Sequence, residues 1–137
     1  MKQSRRFLIS GAFLAVIAAG SVPGVGQAPL RENTETILAT YRVKAEELPA
    51  FLKLMPEYWK ALRAHRLVRA EPYVLLQSEE DGKPVFYEVF SWKDHAVAHH
   101  VPAEIQGYWD KLNAMVEKRG GHEGIEFPEV RIVPAKP

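Results

Sequence analysis

The run Val85-Phe86-Tyr87-Glu88-Val89-Phe90-Ser91-Trp92 is apolar on both of its faces. Successive side chains of a strand point to opposite sides. Val85, Tyr87 and Val89 therefore face one way, and Phe86, Phe90 and Trp92 the other. A sheet built around this strand needs cover on both sides, because soluble monomers rarely leave a large contiguous apolar patch in water.

The rest of the chain supplies candidate cover. Residues 37–45 alternate, with Ile37, Ala39, Tyr41 and Val43 on one side, which is the period of a strand. Over 46–68 the period changes, and Leu48, Phe51, Leu52, Met55, Trp59 and Leu62 form one helical face. Glu46 and Glu47 suit the positive end of that helix, and Arg63, His65 and Arg66 the negative end. Pro49 fits a first turn. Pro56 predicts a kink or break, since proline lacks the amide donor and crowds the preceding turn.

Residues 72–93 hold two β-rich runs around Glu80-Asp81-Gly82-Lys83, and Asp-Gly between such runs signals a hairpin. Asp94 predicts the cap of a short helix over 95–100. Pro102 opens a second helix over 102–119, with Ile105, Tyr108, Trp109, Leu112, Met115 and Val116 inward and Gly120-Gly121 as its stop. A last strand covers 124–133, with Pro128 marking an edge or bulge, and residues 134–137 form a frayed tail.

Strand, helix, strand, strand, helix, strand is the α+β, ferredoxin-like βαββαβ order: a four-stranded antiparallel sheet with two helices on one face. Two helices cover one face only. A second copy packed sheet against sheet covers the other, so the pattern predicts a homodimer.

Residues 1–28 stand apart. Lys2, Arg5 and Arg6 precede the apolar stretch 7–20 and then small residues, the anatomy of an export signal. The apolar run is shorter than the ~20 residues a membrane span needs. "SRRFLIS" (4–10) also resembles a twin-arginine signal. The expected location is periplasmic or secreted, with no stable span after processing. Residues 29–36 then form a polar leader, and 37–133 a single domain.

Removing 1–28 takes away three of 18 basic residues and none of 17 acidic ones, which leaves a net charge of −2. A mildly acidic domain without a basic stripe is a poor nucleic-acid binder. Cysteine is absent, which excludes disulfide, zinc–thiolate and thiol-nucleophile chemistry.

The element order, "YEVFSWKD" (87–94) leading into a short helix, and the proline-opened second helix resemble the dimeric α/β-barrel superfamily. The branch is that of antibiotic biosynthesis monooxygenase-like domains, over about residues 36–133. The resemblance implies a pocket between helices and sheet. It also implies a choice among cofactor-independent oxygenases of aromatic substrates, haem-degrading or haem-dependent proteins, and exported proteins without assigned activity.

Several chemistries are open at this point. His95 and His99, four apart, could share a metal with Glu104 or Glu88, although no H-E-x-x-H pattern is present. Haem-degrading members carry a Trp and then, ten residues later, a proximal His. Here His99 comes first and Trp109 follows, which argues against that ligation. Neither metal nor cofactor is therefore assigned.

Glu88 interrupts the Phe86/Phe90 face, and a buried carboxylate needs a partner or a raised pKa. His99 or His100 is the expected partner, beside Trp92, Tyr108, Trp109 and Trp59 as substrate-binding aromatics. The plainer alternative pairs Glu88 with Arg42 or Arg131 across the sheet and leaves the tryptophans as core. The leading expectation is an exported protein that binds a small apolar or aromatic molecule. A cofactor-independent monooxygenase of phenolic substrates is the alternative, and haem binding comes third.

Overall fold

A computed structural model describes residues 34–135. The export signal, most of the polar leader and the last two tail residues lie outside the described residues. The elements are β1 (Thr36–Arg42), α1 (Leu48–Ala64), β2 (Val68–Glu80), β3 (Lys83–Trp92), α2 (Ala103–Met115), β4 (Ile125–Glu126) and β5 (Glu129–Val130). The strands form one open antiparallel sheet in the order β2-β3-β1-β4, with β5 also pairing β1. With β4 and β5 sharing the fourth place, this is the ferredoxin-like order.

Register explains which face is buried. Ile37, Ala39 and Tyr41 pair with Phe90, Glu88 and Phe86, so all six side chains point to one side. Both helices pack on that side. Phe51 of α1 lies 4.6 Å from the Phe86 ring and 5.4 Å from Tyr41. Trp109 of α2 meets Trp92 at 6.4 Å. The opposite face carries Leu38, Val74, Leu76, Tyr87 and Val89, with Leu76 54% exposed.

The β2–β3 hairpin turns at Asp81 and Gly82, both at positive φ (53° and 72°). That pair is what a two-residue turn matched to strand twist requires. Strand β2 starts at Val68 rather than at 72 and carries a bulge between Val68 and Tyr73.

Helix α1 runs through Pro56 without a break, contrary to expectation. Proline deprives the Leu52 carbonyl of its helical donor, but Leu52 and Pro56 both lie on the exposed side, where water can serve that carbonyl. The buried stripe is Phe51, Leu54, Met55, Tyr58, Ala61 and Leu62, so Leu52 faces out and Tyr58 faces in.

The helix ends with Arg66 at φ 56°, while the Leu67 amide donates to Leu62 O and the Arg66 amide to Arg63 O. This is the double-bonded left-handed C-terminal motif, here with arginine where glycine is usual.

Helix α2 stops at Met115, not at 119. Lys44 meets its last carbonyls, with its amide on Met115 O and its ammonium on Ala114 O. Val116 then bridges Val43 in extended conformation, and Gly120-Gly121 turn the chain between Arg119 and His122 instead of capping a helix. The buried Arg119 guanidinium donates to Pro84 O, Val43 O and Glu117, which anchors this exit. The expected last strand is split at Phe127-Pro128 into β4 and β5.

Among the described residues, no helix is long and apolar enough to cross a membrane.

Candidate functional site

Glu88 sits at the centre of β3 with no solvent exposure. Its flanking partners on the sheet are Ala39 and Leu75, and the helices close over it. The Tyr41 hydroxyl donates to Glu88 Oε1 at 2.9 Å, and Oε2 has no hydrogen-bond partner in the protein. Burial pushes the carboxyl from its ordinary 4.5 up to about 7. The hydroxyls of Tyr41 and Tyr73 pull in the opposite direction without offsetting the loss of water.

Three tyrosines surround this group. Tyr41, Tyr58 and Tyr73 all have their phenols raised well above the ordinary value, first by burial and then by the Glu88 charge. Tyr58 accepts a hydrogen bond from Trp109 Nε1 at 2.8 Å. Among the described residues its own hydroxyl proton goes to no acceptor. The layer thus holds an unspent acceptor, Glu88 Oε2, and unspent hydroxyl protons on Tyr58 and on Tyr73, the latter close enough to pull the Glu88 pKa down.

The four predicted aromatics gather in this layer. Trp59 stacks on Tyr73 at 3.9 Å, Tyr108 lies 5.7 Å from Tyr58, and Trp92 meets Trp109 edge to face. Trp92 is buried, whereas Trp59, Tyr73, Tyr108 and Trp109 are half-buried. The cluster therefore runs from the Glu88 interior to the surface.

The histidines do not join it. The expected pairing of Glu88 with His99 or His100 is not formed. His99 Nε2 lies 3.3 Å from His95 Nε2, and His95 Nδ1 lies 2.9 Å from Glu35 Oε2, all outside the core. His100 is exposed at the end of the same 3₁₀ turn (Val97–His99), which Asp94 Oδ1 caps through the Val97 amide. The turn is too short and too far out to aim a ring at β3. Glu104 pairs instead with His65 at 2.6 Å. Among the described residues, no group of three or more His, Asp or Glu side chains is placed to hold a metal ion.

The cross-sheet alternative is not formed either: Arg42 pairs with Glu80 and Glu126, and Arg131 is exposed, whereas Glu88 is fully buried. Tyr41, Tyr58 and Tyr73 were not legible as site residues. Tyr41 has the sequence pattern of a core residue, and Tyr58 lies one position from Trp59 on the expected apolar stripe of α1.

No family model and no curated protein matches this chain. Solved structures do match. A conserved protein from Methanosarcina mazei Go1 aligns at TM-score 0.56 and 17% identity over 72% of this chain and 92% of its own. An antibiotic biosynthesis monooxygenase aligns at TM-score 0.55 and 20% identity over 73% and 99%. A Nitrosomonas europaea protein provisionally given the same family name aligns at TM-score 0.55 and 15% identity over 73% and 90%. At these identities the likeness speaks of architecture: the chain has the ferredoxin-like fold of the antibiotic biosynthesis monooxygenase proteins.

Proposed function

We propose that this protein binds a small hydroxylated aromatic molecule between its helices and sheet, with the hydroxyl directed at Glu88 Oε2. The observation that carries this reading is a fully buried carboxyl whose second oxygen lacks a partner, within a layer of aromatic rings. An orphaned buried acceptor is costly, and such groups commonly mark an absent hydrogen-bond donor. A phenol supplies both a ring for Trp59, Tyr108 and Trp109 and a donor for Oε2. His99 and His100 have no part in this site.

A second reading is cofactor-independent oxygenation. It is favoured by the Glu88 pKa near 7, which suits a general base at neutral pH. Glu88 takes the phenolic proton, and the resulting carbanion-like ring reacts with dioxygen. One oxygen atom enters the ring as a quinone carbonyl. The other leaves as water with the hydrogens from the ring C–H and the O–H. Several structural neighbours carry the name monooxygenase, which agrees with this reading.

We also propose that the chain is exported and forms a homodimer through the sheet face bearing Leu38, Val74, Leu76, Tyr87 and Val89. Cross-strand register places Leu38, Val89 and Val74 in one row and Tyr87 with Leu76 in the next, so the patch is contiguous.

A thermal-shift panel of phenols and quinols, run beside an oxygen electrode, tests both readings. Melting shifts abolished by Glu88→Gln support binding, and oxygen uptake abolished by the same change supports oxygenation. Neither shift nor uptake with any phenol contradicts both.

A further inference from the structure

We propose a second, separate ligand site: a basic cleft that binds a phosphate-bearing group. An open cleft of about 440 Å³ is lined by Arg63, Arg66, Arg69 and Lys93, with Val68 and Ala70 completing its wall. No carboxylate lines it, and among the described residues none of the four cations forms an ion pair. Elsewhere on this domain Arg42, Lys83, Lys118 and Arg119 have carboxylate partners, whereas Lys44, Lys53, Lys60, Lys111 and Arg131, like the cleft cations, form no ion pair among the described residues; what sets the cleft apart is that its four cations line one concavity. Concentrating four unpaired cations in one concavity of a domain with a slightly acidic balance raises the local potential far above that of the surroundings.

The fold brings Lys93 to three arginines spaced three apart along one short segment. Arg63 comes from the last turn of α1, Arg66 from the residue after its cap, Arg69 from the start of β2, and Lys93 from just past β3. The Lys93 amide donates to Leu67 O at 2.8 Å, which ties the end of β3 to the entry of β2 and holds both walls together. A helix C-terminus is the negative end of its dipole, which explains Arg63 and Arg66 alone but not Arg69 and Lys93.

Arg66 adds a separate argument. It occupies a left-handed position, φ 56°, where glycine is the unstrained choice, yet the chain places a guanidinium there. Three guanidinium forks and one ammonium suit the tetrahedral, multiply charged oxygens of phosphate better than a single carboxylate.

Calorimetric titration of the full chain with inorganic pyrophosphate, at ionic strength held constant with chloride, tests this. In parallel, sedimentation is measured with phosphatidylcholine vesicles containing or lacking phosphatidic acid. Saturable pyrophosphate binding without vesicle binding identifies a free phosphate ligand, and binding only to phosphatidic acid vesicles identifies a lipid headgroup; either supports the site. The double variant Arg69→Gln/Lys93→Gln is expected to weaken that binding about tenfold. Arg66→Gly is expected to weaken it while the melting temperature holds or rises, because the backbone strain is relieved. Absence of both kinds of binding, binding undiminished in the double variant, or Arg66→Gly lowering the melting temperature with affinity unchanged overturns the proposal. Binding confined to nucleic acid overturns it too.

Discussion

The Tyr41 hydroxyl donates to Glu88 Oε1 at 2.9 Å, and Glu88 Oε2 receives nothing from the protein. Burial raises this carboxyl to about 7, because the nearby Tyr41 and Tyr73 hydroxyls do not replace the lost water.

Stability follows with a definite sign. Burial raises Glu88 from 4.5 unfolded to about 7 folded, so between these values the folded chain holds a proton that the unfolded chain has released. The contribution is fully present below about pH 4.5 and is lost as pH rises through about 7, on the order of 3 kcal/mol. Denaturant melts at several pH values should show that the stability of Glu88→Gln relative to wild type improves with rising pH across this window. A difference that stays constant with pH contradicts the assignment.

Tyr41→Phe removes the one hydrogen bond that favours the carboxylate most directly. The Glu88 pKa should rise further, and stability should fall by about 1–2 kcal/mol at neutral pH. The shift is read from the pH dependence of denaturant midpoints in the single variant and in Tyr41→Phe/Glu88→Gln, where the pH effect should vanish.

Pro56→Ala restores an amide donor for the Leu52 carbonyl inside α1 at an exposed position. The helix should gain about 1–2 kcal/mol, because the intrinsic cost of interior proline outweighs the extra entropy of the unfolded chain. Urea midpoints check this, and a destabilised variant contradicts the account of the unbroken helix.

Arg119 is buried and donates to two backbone carbonyls and to Glu117. Arg119→Ala should cost about 2–4 kcal/mol, with Arg119→Lys intermediate because one ammonium cannot span three acceptors. Equal melting of Lys and Ala variants would show that the fork geometry is irrelevant.

Leu76 is 54% exposed on the face away from the helices. Leu76→Glu should leave melting nearly unchanged while converting a micromolar dimer to monomer by sedimentation velocity. A wild-type chain that is already monomeric contradicts the proposed dimer.

The fold was legible because period and turn chemistry are local. The hairpin at Asp81-Gly82, the inward set Ile37, Ala39, Tyr41 and Val43, and the cap at Asp94 all follow from neighbours in sequence. The misreadings lie where tertiary contacts decide. Pro56 is tolerated because its side of α1 meets water, and α2 stops early because Lys44 and Val43 capture its end.

The inward placement of Glu88 and of the four aromatics was legible from the burial pattern. The tyrosine partners of Glu88 were not, because nothing local in the sequence states that Tyr41 lies one row from Glu88 in the register. His99 and His100 were misplaced by sequence proximity to β3. The basic cleft was not legible because Arg63 and Arg66 also suit a helix C-terminus, and nothing local brings Lys93 beside them and Arg69.

Selective ¹³C labelling of glutamate side chains, with assignment by Glu88→Gln, follows the Glu88 carboxyl through a pH titration with and without a bound phenol. The account predicts a midpoint near 7 in the free chain and a changed midpoint when the phenol occupies Oε2. A midpoint near 4.5 that no phenol moves contradicts it.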